Sequence, residues 1–176
     1  MTDHPKPLVE TDRLLLTPPT VDDFDAFNAM LSDPKVFRFL GNSAAPRPEA
    51  WTKLLRNIGH WDAFGYGIFA IREKDSGRYI GEIGIGHFQR GLGTDFDPFP
   101  EGAWLLASEA HGKGYATEAA EAAHEWFFAL KGIQRTVCII DPANVGSIRV
   151  AEKLGYRAFA QRDYRDVPIT LFERSV

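Results

Sequence analysis

The chain predicts a mixed α/β or α+β domain, a sheet with helices packed on it. Three observations predict it. Short runs in which apolar and polar residues alternate are interleaved with segments whose apolar residues recur every three to four positions. Composition is that of an ordinary globular protein, with 44% apolar and 25% charged residues, and 176 residues suffice to bury a core as one domain over 1–176. A glycine-rich turn joins one of the strand patterns to a long alanine-rich helical pattern.

Taken in order, Thr11-Asp12-Arg13-Leu14-Leu15-Leu16-Thr17 predicts the first strand, stopped by Pro18-Pro19. Thr20 reads as an N-cap, with Asp22 and Asp23 in the first turn of a helix carrying Val21, Phe24, Phe27 and Leu31. Asp33-Pro34 ends it, and a short helical turn through Val36, Phe39 and Leu40 leads to a loop over 41–48. Residues 47–62 return to helical spacing with Trp51, Leu54, Leu55, Ile58 and Trp61. Strands over 66–72 and 79–85 flank Lys74-Asp75-Ser76-Gly77, a hairpin turn. Residues 90–100, rich in Gly, Asp and Pro, predict a substrate-selecting loop. A strand over 101–107 and a helix over 114–130 follow, the helix burying Ala116, Ala119, Ala120, Ala123, Phe127 and Leu130 and stopping at Lys131-Gly132. A strand over 135–140 enters Asp141-Pro142-Ala143-Asn144 and a helix over 145–154 with Ile148, Ala151 and Leu154 inward and Gly155 as its stop. Residues 157–165 and 167–174 close as a hairpin.

A net charge of −4 argues against a nucleic-acid binder, which shows a basic surface. The single cysteine, Cys138, excludes an internal disulfide and reads as a small apolar core residue. The N-terminus lacks a basic-then-apolar leader pattern, no apolar run is long enough to span a membrane, and a soluble cytoplasmic protein is expected. No metal site is expected. His4 lies in an N-terminal tail, His60 has no ligand-type residue one turn away, and His124 has Glu121 nearby but no third ligand. Trp51, Trp61, Trp126, Phe127 and Phe128 read as core, whereas Trp104 sits on a strand whose alternate residues would face a substrate.

The chemistry concentrates in His111-Gly112-Lys113-Gly114-Tyr115-Ala116-Thr117. A strand running through a glycine turn into a helix aims several N–H groups and a helix dipole at one place, which suits a pyrophosphate. The turn is not a P-loop, because Ala107 stands at the first glycine position and Gly114 where a hydroxyl is required. Nor is it a Rossmann fingerprint, since Thr117 replaces the third glycine.

With the segment Asp141-Pro142-Ala143-Asn144 through Leu154-Gly155-Tyr156, the 111–116 stretch resembles the two signatures of the GNAT superfamily of N-acetyltransferases, in the family's order and at its usual separation. His111 replaces the usual Gln/Arg. The resemblance covers the whole chain and is closest to the RimJ/RimL-type branch, the ribosomal-protein N-terminal and related small-amine acetyltransferases. It implies a mixed, mostly antiparallel sheet of six or seven strands, flanked by helices and splayed at its centre to admit acetyl-CoA. On that resemblance Leu105, Leu106 and Ala107 would bond the pantetheine arm through their main chain, as an added strand does. The N–H groups from Gly112 to Thr117 would hold the pyrophosphate, His111 and Lys113 would stand beside it, and Asn144 would face the thioester end while also capping its helix.

An alkyl ammonium, with a pKa near ~10, must lose a proton before it attacks a thioester. Glu101, at the start of the strand, is the first candidate base, Glu82 the second and His87 the third. Ala151 stands where many members carry a tyrosine acid, which leaves Ser147 as the hydroxyl nearest the sulfur and Tyr156 as a core residue. The competing readings are an acyl-CoA-binding regulatory module without turnover and a nucleotide-binding protein using the same turn. The partner expected is an amine, either a protein N-terminus or a small molecule, with a weak bias from the net charge toward a cationic one. Monomer and homodimer both stay open.

Overall fold

The computed structural model describes residues 8–41, 43–133 and 135–175. His4 and Asn42 lie outside the described residues.

Eight strands form one sheet: β1 (Val9–Glu10), β2 (Leu14–Thr17), β3 (Ile68–Glu73), β4 (Tyr79–Gly86), β5 (Glu101–Leu106), β6 (Arg135–Ile140), β7 (Arg157–Tyr164) and β8 (Val167–Ser175). Their spatial order is β1-β2-β3-β4-β5-β6-β8-β7. Every neighbouring pair is antiparallel except β5 and β6. The fold class is the one expected, with one strand more. β1 has two residues, too few to show a period of two, and it exists because the turn at Thr11–Arg13 folds it back on β2. The last hairpin turns through Arg165 and Asp166 at φ 52° and 61°, the two positive φ angles of a type I′ connection.

The helices are α1 (Phe24–Leu31), α2 (Pro34–Phe37), α3 (Arg47–Phe64), α4 (Tyr115–Lys131) and α5 (Val145–Lys153). Residues 21–23 form a 3₁₀ turn rather than the start of α1, which puts Val21 out of phase with Phe27 and Leu31 and leaves it exposed. The buried Asp23 accepts the Thr20 N–H at 2.7 Å and pairs with Arg72 of β3, so this turn is pinned to the sheet.

α4 lays its small face on the sheet. Ala119, Ala120 and Ala123 sit against Leu14, Leu16, Ile71, Ile80 and Ile83, all buried, while Leu130 at the helix end stays half exposed. A second cluster joins Phe27 and Leu31 of α1 to Leu54 of α3. Between α4 and the sheet runs a buried polar chain. His124 Nδ1 donates to the Ala120 carbonyl at 2.7 Å, and Nε2 accepts from the Tyr156 hydroxyl at 2.8 Å, which lies 2.9 Å from Thr136 Oγ1. Burial drops the His124 pKa to about 4, so this is the neutral tautomer with both nitrogens used. Cys138 is buried in β6, where burial pushes its thiol well up.

Candidate active site

β5 and β6 register only through Glu101 and Val137. Beyond that pair β5 continues with β4 and β6 continues with β8, and the two strands part. Ladder alternation decides what β5 presents to the gap. The Ala107 N–H donates to Ile80 O at 2.9 Å, so Ala107, Leu105 and Ala103 turn their main chain toward β4. Trp104 and Leu106 turn theirs the other way. The Leu106 carbonyl already accepts from His111 Nε2 at 2.9 Å, which leaves the Trp104 amide and carbonyl and the Leu106 N–H as the open edge.

A cavity of about 500 Å³ lies along this edge. Trp104, Leu105 and Leu106 form one wall, and Asn144 and Ser147 the facing one. Asn144 caps α5 by accepting the Ser147 N–H at 3.1 Å, and its amide nitrogen stays available. The far end is the glycine turn, with His111, Gly112, Gly114, Tyr115, Ala116 and Thr117 lining it. Gly112 and Gly114 hold φ at 73° and 80°, a region that costs other residues, and the two bends let successive amides converge. No side chain caps α4, so its first N–H groups face the cavity end uncommitted.

Three expected positions fall elsewhere. Ala107 is turned to β4 by the ladder and does not line the cavity. Lys113 does not line it either: its carbonyl accepts from Arg13 Nη1 at 3.0 Å and its ammonium stands 5.9 Å from the Tyr115 ring centre. Glu101 is buried at the foot of the gap, 3% exposed, where Arg90 grips both carboxylate oxygens at 2.6–2.9 Å. Burial raises its pKa and the Arg90 fork opposes the rise. Burial also works against the charge on Arg90, and Glu101 overcomes it, so the guanidinium stays charged.

Positive charge rings the cavity, which sequence reading did not foresee. Lys35 of α2, Arg38 just after it, and Arg149 and Lys153 of α5 line it, and among the described residues no Asp or Glu does. The signal was present: each pair is spaced three or four apart and so shares a helix face. α2 is tied in place by Asp33, which accepts the Lys35 N–H at 2.8 Å and the Ser108 hydroxyl just past β5. That hydroxyl holds the Asp33 carboxyl below its usual range.

A latch closes on the turn from outside. Glu118, in the first turn of α4, accepts from Thr11 Oγ1, from the Arg13 N–H at 3.1 Å and from Arg13 Nε at 2.7 Å. Arg13 in turn holds the Lys113 carbonyl and covers the Tyr115 ring. Glu118→Gln is expected to raise the KM for a diphosphate-bearing substrate several-fold while leaving the KM of any second substrate unchanged, because it loosens this turn alone. Steady-state kinetics with each substrate varied in turn checks this.

A second, larger cavity of about 1190 Å³ shares Phe39 and Leu40 with the first. α3, β6 and the closing hairpin contribute to its walls. Glu82 lies beside α3, where Asn57 donates to it at 3.0 Å and Lys53 stands 3.5 Å away. His87 is directed elsewhere, among Phe64 and Tyr66, and its amide donates to His60 Nε2 at 3.0 Å. The 90–100 loop is largely exposed but anchored in the core by two side chains. Leu92 and Phe96 bury against Val137, Ile169 and Leu171, Arg162 ties down Asp95, and of this loop only Arg90 faces the cavity. Trp104 faces the first cavity rather than the second. Among the described residues no His/Cys/Asp/Glu group could hold a metal ion, and no helix is long and apolar enough to cross a membrane.

Residues 13–157 match the model of the acetyltransferase (GNAT) domain family. A Bordetella pertussis protein described as a GNAT-family acetyltransferase superposes with a TM-score of 0.86 at 34% identity, covering 96% of this chain and 99% of that one. An acetyltransferase from Agrobacterium tumefaciens str. C58 gives 0.82 at 30% identity, over 97% and 95%. The uncharacterized protein YkkB of Bacillus subtilis (strain 168) is 29% identical over 169 residues, 93% of each chain.

Proposed function

As a member of the GNAT acetyltransferase family this chain is an acetyl-CoA-dependent N-acetyltransferase, and we propose that its acceptor is a primary amine, a small molecule or a protein N-terminus, as in the RimJ/RimL-type enzymes. The observation that carries the reading is the parted edge of β5 ending in the uncapped, doubly bent glycine turn under a basic ring. That set fits an extended arm followed by phosphates, and among the described residues no acid lines the cavity to oppose the phosphate charge.

Bound acetyl-CoA supplies the acetyl group as a thioester. Around it Trp104 and Leu106 would align the arm through their open main-chain groups, and the amides from Gly112 to Thr117 would hold the pyrophosphate. Lys35, Arg38, Arg149 and Lys153 would neutralise the remaining phosphate charge. The Ser147 hydroxyl, which makes no hydrogen bond among the described residues, would stand at the sulfur and stabilise the departing thiolate by a hydrogen bond, the thiolate taking its proton from solvent. Glu101 would receive the amine's proton through water, since it lies at the foot of the gap between the strands and not on a cavity wall.

The test is a panel of amines scored for release of the CoA thiol and for the acetylated product by mass. Thiol release that depends on amine is expected, and acetyl-CoA bound with no such release would favour a regulatory module. In the same assay Glu101→Gln is expected to lower kcat ten-fold or more and to remove the acidic limb of the pH–rate profile, with a melting curve confirming the fold. An unchanged profile would eliminate Glu101 as the base.

A further inference from the structure

The second cavity is lined by a solvent-exposed guanidinium that forms no ion pair among the described residues, although the charges of Glu82 and Glu101 act on it from farther off. Arg56 lies on α3, one turn after Lys53, and lines the cavity together with Tyr164 and Ile169. Among the described residues it has no carboxylate within ion-pairing distance. Its one hydrogen bond runs from Nη2 to Asn57 Oδ1 at 3.4 Å, a long contact made to its own neighbour in the helix. The Phe88 ring stands 5.4 Å from its carbon, and the same ring lies 5.1 Å from Arg90.

The nearby acids are committed to other groups. Glu101 is ion-paired with Arg90, and Glu82 is ion-paired with Lys53 and hydrogen-bonded to Asn57, while an Asp141 oxygen accepts the Ala143 N–H at 2.8 Å in the turn before α5. Glu49 also lines the cavity, but it stands two helical turns before Arg56, roughly 10 Å along the axis. A guanidinium facing a cavity of mixed polar and apolar lining, with most of its planar donor fork unspent, suits a carboxylate or phosphate group.

Resting on the N-acetyl-transfer reading above, we infer that the acceptor is a small amine carrying an anionic group, a carboxylate or a phosphate, which Arg56 binds while Phe88, Tyr164 and Ile169 receive an apolar body. The net charge of −4 points weakly the other way, but a whole-chain sum does not describe one wall of one cavity.

Matched acceptors test this: phenylalanine against phenethylamine, leucine against isoamylamine, and phosphoethanolamine against ethanolamine, with kcat/KM measured by thiol release. The wild-type chain is expected to prefer the anionic member of at least one pair ten-fold or more. In Arg56→Gln that ratio falls to near one while the KM for acetyl-CoA is unchanged, and Arg56→Lys retains part of it. Equal use of both members of every pair, or an equal loss on both in Arg56→Gln, overturns the inference. So does thermal stabilisation by acetyl-CoA with no thiol release from any anionic amine. Failure of acetyl-CoA itself to bind would instead bring down the reading beneath it, which separates the two.

Discussion

Arg90→Ala is expected to destabilise the protein by roughly 3 kcal/mol at neutral pH, because it strands a buried carboxylate. Glu101 is 3% exposed and its oxygens are met by Arg90 Nε and Nη2 at 2.6–2.9 Å. With the guanidinium gone, burial is no longer opposed and the Glu101 pKa rises further above its usual range. A carboxyl whose folded pKa is raised stabilises the fold in its protonated form, most fully below the unfolded pKa, and loses that contribution as pH climbs through the folded value. The deficit against wild type should therefore be largest at pH 7 and above and should shrink toward pH 5. In a chain of 176 residues this corresponds to roughly 10 °C in Tm at neutral pH. Melting curves across that range decide it. A deficit that is small or independent of pH would show that the ion pair is not what holds Glu101 in place.

Gly114→Val is the second change with a large expected effect, and it acts on binding. Gly114 sits at φ 80° as the residue before α4, with Arg13 Nη2 3.5 Å from where a Cβ would stand. A β-branched residue in that left-handed conformation is strained by about 1–2 kcal/mol or more. The turn relieves the strain by rotating away, which moves the amides of Tyr115 to Thr117 off their common focus. The KM for acetyl-CoA is expected to rise at least ten-fold, with kcat at saturation within about three-fold because β5, Ser147 and Glu101 are untouched. An unchanged KM would mean that the turn does not hold the pyrophosphate.

Much of this molecule could be read before folding it. The strands β2 to β8 and the helices α3, α4 and α5 carry their periods openly, and the caps at Asn144, Gly132 and Gly155 end them where expected. The glycine turn was legible because its main-chain conformation is what glycine spacing encodes locally. What misled were local cues whose meaning depends on distant partners. Lys113 looked like a phosphate ligand, but its ammonium stands near the Tyr115 ring and the residue does not line the cavity. The 90–100 loop looked like a substrate selector until Leu92 and Phe96 proved to be filling space against β8.

By itself, then, the order of residues determined the elements, the fold class and the place of the glycine turn, since each of these depends on neighbours within a turn or a strand. Only the tertiary structure decided which edge of β5 stays open, that Glu101 is locked to Arg90, that two basic pairs converge on one cavity, and that Arg56 faces the other without a counter-ion. The reason is physical. Ladder alternation, burial and charge pairing are properties of surfaces brought together from far apart in the chain, and no local pattern encodes them.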